Sequence, residues 1–256
     1  MLVDAHELNE SVAAFDDHGY VVIPDLLTRG EAHGLYAAFD EFRSTHVDGV
    51  GRNFYTERIL CQDWSFVEAI TKPRLIEALR SCVGDDVQLI SYDRPETPPH
   101  AGPERAWHIE VHGGFTADRC LSVNAGIYLQ DITVETGPLY LVPGSHRWRR
   151  EPTAEERGRP QPGELALLMP AGTGIVLHGQ LWHSGGQNNS DRPRRAVFAY
   201  FGHYWMKRMD EFYKTPLPDR ILESEDELIR QLFGLQLTLA PSFFGHGYNP
   251  GGSHST

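Results

Sequence analysis

Two short segments carry the residues best suited to chemistry: Trp107-His108-Ile109-Glu110 and Leu181-Trp182-His183, with Arg194 eleven residues beyond the second histidine. Two imidazoles and one carboxylate are the ligand set of a non-haem Fe(II) site that leaves three coordination positions open. A downstream arginine adds a bidentate partner for the carboxylate of a 2-oxo acid. If the fold brings the four together, the expected chemistry is oxygenation with iron and a 2-oxo acid. His108 and Glu110 lie two apart, and in an extended segment residues i and i+2 point to the same side. One short strand can therefore present both to one metal, whereas His183 must be delivered by the fold. His-x-Glu alone arises by chance in many chains, so its context has to carry the reading. His183 is followed by a turn, Ser184-Gly185-Gly186-Gln187-Asn188, then by Asp191-Arg192-Pro193-Arg194 and an apolar strand.

The elements that must position these residues change character along the chain. Residues 7–18 read as a helix, with Leu8, Val12 and Phe15 at helical spacing and Gly19 as a stop. Tyr20-Val21-Val22-Ile23 is a short buried strand ended by Pro24. Thr28-Arg29-Gly30-Glu31 has capping-box spacing ahead of Leu35, Ala38, Phe39 and Phe42. A third helix is expected over 64–81, with Phe66, Ile70, Leu75 and Leu79 inward. From residue 87 the pattern turns to strands. Leu121, Val123, Ala125, Ile127 and Leu129 alternate with Ser122, Asn124, Gly126, Tyr128 and Gln130, one apolar face and one polar face. The apolar set can pack on helices while the polar set lines a barrel interior. Further strands are expected at 139–142, 165–169, 173–178 and 195–203, with Gly and Pro turns between them. Helix returns in part over 207–234, and the tail from Pro241 reads as mobile. The expected architecture is a mainly β barrel or jelly roll with flanking N- and C-terminal helices and a ligand in its mouth.

Composition bounds the function. The chain has 256 residues, 40% hydrophobic and 23% charged, which suits one folded domain with a buried core. We expect a single unit over 1–256, helical over about 1–82, β over about 87–205, with a C-terminal helical segment and tail from 206. A net charge of -12 disfavours nucleic acid and anionic membrane as partners. The arginines of 147–159 read as a solvated loop. Cys61, Cys82 and Cys120 are isolated, which argues against a disulfide framework or zinc ribbon and fits a cytoplasmic location. No apolar run approaches the roughly 20 residues of a membrane span, and the N-terminus lacks the features of a secretory signal.

The ordered motifs resemble the phytanoyl-CoA dioxygenase family of Fe(II)/2-oxoglutarate oxygenases from about residue 10 to about 205. Phe15-Asp16-Asp17-His18-Gly19-Tyr20-Val21-Val22-Ile23-Pro24 is similar to its helix-to-strand opening. Trp107-His108-Ile109-Glu110 matches its His-x-Asp/Glu position. The runs from Asp131 to Leu139 and from Val142 to His146 resemble its central strand pair, and Leu181 to Asn188 its distal-histidine segment. The resemblance implies a double-stranded β-helix (a cupin-like jelly roll), with His108, Glu110 and His183 holding Fe(II). It places Arg194 on the C5 carboxylate of 2-oxoglutarate. It also implies that 2-oxoglutarate and dioxygen become succinate and carbon dioxide as a C–H bond of a small molecule is oxidised. Hydroxylation is the default outcome; desaturation, cyclisation and epimerisation start from the same radical. Bacterial secondary metabolism is the expected setting. Glu110 departs from the family's usual Asp. Related halogenases carry a small residue there, so a retained carboxylate argues against halogenation.

Other residues stay open at this level. Asn124 and Tyr128 are candidate donors to 2-oxoglutarate, and Arg94 is a candidate contact to co-substrate or an anionic substrate. Arg192 and Arg195 compete with Arg194, since a shift of one residue reverses the sheet face. His112 shares the parity of His108 and Glu110 and suits either a pocket or a loop. His146 reads as structural, and His178 as a weaker pocket candidate. Trp107 and Trp182 read as packing. Segments 147–163 and 206 onward are candidate lids. Two alternatives remain: a barrel that binds a ligand without catalysis, and a metal-dependent isomerase or hydrolase needing no 2-oxo acid. Substrate and oligomeric state are not legible.

Overall fold

The computed structural model of the protein describes residues 2–4, 14–45, 63–93, 95–111, 115–208 and 217–236. In chain order the elements begin with β1 (Leu2–Asp4), α1 (Phe15–His18), β2 (Tyr20–Ile23), α2 (Arg29–Thr45), α3 (Ser65–Ile70) and α4 (Pro73–Val83). Strands follow: β3 (Val87–Asp93), β4 (Glu96–Thr97), β5 (Ser122–Tyr128), β6 (Leu139–Leu141), β7 (Leu165–Leu168), β8 (Gly174–His178), β9 (His183–Gly185) and β10 (Arg194–His203). The short helices α5 (Asp219–Leu222) and α6 (Glu227–Leu232) come last.

Two sheets make a jelly roll, the double-stranded β-helix. The larger runs β2-β8-β5-β10-β3, with β4 paired to β10, and the smaller runs β1-β7-β6-β9. All ladders are antiparallel except β1 with β7. Alternation decides what each face meets. Val123, Ala125 and Ile127 of β5 join Val21, Ile23, Phe39, Phe66 and Leu79 in a core between the larger sheet and the helices. Tyr20, Val22, Tyr128, Leu141, Leu167 and Ile175 form a second core between the two sheets. The polar set of β5 therefore faces the lumen, as its period-two pattern predicts.

Local chemistry fixes the helix ends. Thr28 and Glu31 form the expected capping box: the Thr28 N–H donates to Glu31 Oε2 at 2.7 Å and the Glu31 N–H to Thr28 Oγ1 at 3.2 Å. Gly19 ends α1 at φ 83°, a left-handed conformation that suits glycine. The helix expected over 64–81 is two helices. Pro73 opens α4 next to its cap residue Lys72; it has no N–H for a continuing helix, so α3 ends at Ile70. Phe66, Ile70, Leu75 and Leu79 are buried as expected. Of the helix expected over 7–18 only the last turn is described; Leu8, Val12 and the tail from Pro241 lie outside the described residues.

Neither candidate lid covers the lumen among the described residues. Segment 147–163 packs behind the two tryptophans: Trp107 Nε1 donates to Arg159 O at 2.7 Å and Trp182 Nε1 to Arg150 O at 2.9 Å. Four of its arginines are ion-paired, Arg147 with Asp17, Arg149 with Asp118, Arg150 with Glu156 and Arg157 with Glu151. Helix α6 docks against β3, with Gln231 Nε2 donating to Val87 O at 3.1 Å.

His146 and His178 are buried with ring centroids 4.8 Å apart, and Phe15 stacks on His178 at 5.8 Å. His146 Nε2 faces Asp16 O at 3.1 Å, the structural role expected of it. Burial, then the neighbouring His146, pulls the His178 pKa down to about 3, and burial lowers His146 as well. The folded protein keeps His178 neutral, while the unfolded chain takes up a proton near pH 6.5. Stability is therefore complete above that pH and falls as pH drops toward 3, by about 2 kcal/mol at pH 5 for this one group. Thermal midpoints at pH 7 and pH 5 check this. The acid-side loss should shrink in His178→Gln, and an equal loss in that variant would contradict it.

Candidate metal centre

The His108 segment is not a strand of its own. It forms a single antiparallel bridge to β9, with the His108 N–H on His183 O at 3.1 Å and the His183 N–H on His108 O at 3.2 Å. The Glu110 N–H then bonds Gly179 O at 2.9 Å. The segment is extended, so the i, i+2 parity holds: His108 and Glu110 point the same way, and the bridge brings in His183 beside them. One ligand atom from each of the three lies within 4.8 Å of the others. No other such group of three occurs among the described residues.

Backbone carbonyls fix both rings. His108 Nδ1 meets Ala106 O at 2.8 Å and His183 Nδ1 meets Leu181 O at 2.9 Å. That contact puts the Nδ1 proton outward and leaves each Nε2 to the centre, the arrangement a metal-binding imidazole requires. Glu110 Oε1 sits 3.0 Å from His183 Nε2 and 3.9 Å from His108 Nε2. Burial by itself would raise the Glu110 carboxyl. The hydrogen bond and charge of His183, then His108 and Asn124, outweigh it and bring the pKa to about 2. Burial would lower His183, but Glu110 and the Leu181 carbonyl raise it above the ordinary histidine value. The donor set is thus one carboxylate and two aimed imidazoles, and it fits a divalent cation.

The centre opens into a cavity of about 380 Å³ lined by Thr97, Asn124, Tyr128, Gly137, Arg194 and Phe198 as well as the three metal-site candidates. Arg194 starts β10 and points into it. Its Nη1 donates to Gly186 O at 2.7 Å and Gly137 O at 2.9 Å, and its Nη2 to Thr97 Oγ1 at 3.0 Å. No carboxylate among the described residues pairs with it. Burial lowers its pKa, yet an arginine stays charged. A largely enclosed guanidinium that lines a cavity without an acid beside it can receive an anion. Arg195 points to the opposite face of β10 and is paired there, at 2.7 Å with Glu96 and also with Asp40. Arg192 lies over Tyr36, outside the cavity lining. Sheet parity thus separates the three arginines.

Asn124 and Tyr128 both reach the cavity from β5. Burial pushes the Tyr128 phenol up to about 12, so it remains a neutral O–H donor near Arg194. Asn124 Nδ2 donates to Glu110 Oε1 at 2.7 Å. Arg94 and His112 lie outside the described residues. His146 and His178 are not among the cavity-lining residues, and Trp107 and Trp182 are fully buried packing groups. Sequence reasoning missed the cradle of Arg194. Gly137, read only as a turn residue, has φ 91°, and a Cβ there would collide with Arg194 Nη1. Its Thr-Gly-Pro context signals a turn but not what the turn surrounds.

A profile described as phytanoyl-CoA dioxygenase (PhyH) matches residues 15–196. The dioxygenase andF of Emericella variicolor is 30% identical over 147 residues, 55% of this chain and 48% of that protein, so the chain spans about half of that relative's length. The ectoine dioxygenase of Bordetella bronchiseptica is 24% identical over 75% of this chain and 74% of its own length. A crystal structure of HygX from Streptomyces hygroscopicus with nickel, 2-oxoglutarate and hygromycin B bound has the same fold. It matches with TM-score 0.62 and 18% identity over 78% of this chain and 89% of that one. The family match covers the bridged histidines, the carboxylate and the strand start at Arg194, and the fold agrees with it throughout. The chain therefore belongs to the phytanoyl-CoA dioxygenase family, whose members are oxygenases that use Fe(II), 2-oxoglutarate and dioxygen.

Proposed function

We propose that His108, Glu110 and His183 hold the Fe(II), that Arg194 with Tyr128 receives the distal carboxylate of 2-oxoglutarate, and that the protein oxidises a C–H bond of a small molecule in bacterial secondary metabolism. The reading rests on one observation above the others. Three aimed ligand atoms and an arginine without an acidic partner share a single cavity.

The bound iron supplies oxidation by dioxygen, coupled to decarboxylation of 2-oxoglutarate. The protein's residues supply placement. Carbonyls of Ala106 and Leu181 hold the two imidazoles in one tautomer. Gly137, Gly186 and Thr97 hold the Arg194 fork so that little side-chain freedom is left to lose when an anion docks. The Tyr128 hydroxyl adds a neutral donor beside it. Leu139, Ala196 and Phe198 make part of the wall apolar, which limits water around the reacting centre. HygX, crystallised with hygromycin B bound, supports a small-molecule substrate for the fold. Hydroxylation remains the default outcome.

A purified protein supplied with Fe(II), 2-oxoglutarate and a panel of small molecules should release succinate in step with substrate oxidation. Succinate release that is independent of added iron would overturn the reading. The ligand-only barrel loses ground because all three donor residues are present and converge. The isomerase or hydrolase reading leaves Arg194 without a purpose.

A further inference from the structure

Glu110 has one more methylene, and one more rotatable bond, than the aspartate usual at its position. Something must hold its carboxylate still if it is to serve one metal position. Of the contacts to its Oε1, the one to His183 Nε2 cannot survive metal binding on the proposed reading, because that nitrogen's lone pair then points to the metal. The bond from Asn124 Nδ2 at 2.7 Å has no such conflict. Asn124 is itself firmly seated. It lies in the middle of β5, laddered to Leu177 on one side and Tyr200 on the other, and only 7% of its surface is exposed.

The other end of the carboxamide points the same way. Asn124 Oδ1 is buried without a hydrogen-bond partner among the described residues. The amide cannot be turned round to cure this, since a metal-binding carboxylate is ionised and offers only acceptors. The 2-oxoglutarate dianion also offers only acceptors at its oxygens. It cannot satisfy Oδ1 either; the one Nδ2 proton not given to Glu110 is all the amide has to offer it, so the bond to Glu110 is the contact the geometry shows.

We propose that Asn124 is the positioning residue for Glu110, clamping its longer carboxylate in the metal-bound as well as the metal-free protein, and that this, rather than co-substrate binding, is its main role. This rests on the reading of His108, Glu110 and His183 as the metal site.

The test compares wild type with Asn124→Leu, close in shape but without polar atoms, and with Asn124→Ala. Mn(II) affinity is measured first by calorimetry without co-substrate, then 2-oxoglutarate affinity at saturating Mn(II). Both variants should bind Mn(II) roughly 10- to 100-fold more weakly, the usual cost of losing an outer hydrogen-bond partner. Their 2-oxoglutarate affinity at saturating metal should change far less. With Fe(II) and 2-oxoglutarate, the visible charge-transfer band should move to longer wavelength, because a carboxylate released from a hydrogen bond is a stronger donor. Metal-free thermal midpoints control for folding. Wild-type Mn(II) affinity in both variants would overturn the proposal. So would loss of 2-oxoglutarate affinity with metal affinity intact, which would return Asn124 to the co-substrate. Failure of the wild type itself to bind Mn(II) is a different result, and it would remove the metal-site reading and the proposal together.

Discussion

Replacing His183 by alanine is expected to abolish stoichiometric Fe(II) binding and, with it, all metal-dependent conversion of 2-oxoglutarate to succinate. His183 is the one proposed ligand that the fold delivers from a different strand, and its ring is buried. Losing an outer hydrogen-bond partner costs roughly 10- to 100-fold in metal affinity, and loss of a ligand must cost more. The fold should persist. The backbone bridge between His108 and His183 does not involve the imidazole, and Glu110 keeps its bond from Asn124. Calorimetry with Mn(II), circular dichroism and a succinate assay on the same preparation separate loss of metal from loss of structure. Undiminished metal binding in this variant would remove His183 from the site.

Arg194→Met should leave metal binding nearly intact and raise KM for 2-oxoglutarate by about 30- to 1000-fold, the equivalent of the roughly 2–4 kcal/mol lost when one partner of a buried charge pair is truncated. Arg194→Lys should recover part of this, since it restores the charge but not the fork. The substitution also removes the bonds that Nη1 makes to Gly137 O and Gly186 O. A modest drop in thermal midpoint is therefore expected and does not count for or against the assignment. KM close to that of the wild type would contradict it, and would direct attention to a cation outside the described residues, such as Arg94.

Much of this site is legible in the sequence because it depends on short-range rules. The period-two pattern of β5 assigned its two faces, and i, i+2 parity put His108 and Glu110 together even though their segment forms only one bridge. Parity on β10 likewise separates Arg194 from Arg195. The family resemblance supplied the long-range pairing of His183 with that segment. What was not legible depends on registers between distant elements. The link from Asn124 to Glu110 needs the position of the His108–Glu110 segment relative to β5. Gly137 reads as a turn in any sequence, and only the folded chain shows that its missing side chain makes room for Arg194. Segment 147–163 looked like a lid because it is long and polar. Its backbone carbonyls instead bond the indoles of Trp107 and Trp182, whose positions are set elsewhere in the chain. The break between α3 and α4 was available from Pro73, but the helical spacing across it was continuous enough to conceal it.

The most direct measurement is an anaerobic titration of the Fe(II)-loaded protein with 2-oxoglutarate, followed by visible absorption. A saturable charge-transfer band, reached at one 2-oxoglutarate per chain and absent when iron is omitted, is the result expected of a site built from His108, Glu110, His183 and Arg194. A folded protein that develops no band, or that binds 2-oxoglutarate equally well without iron, would contradict it.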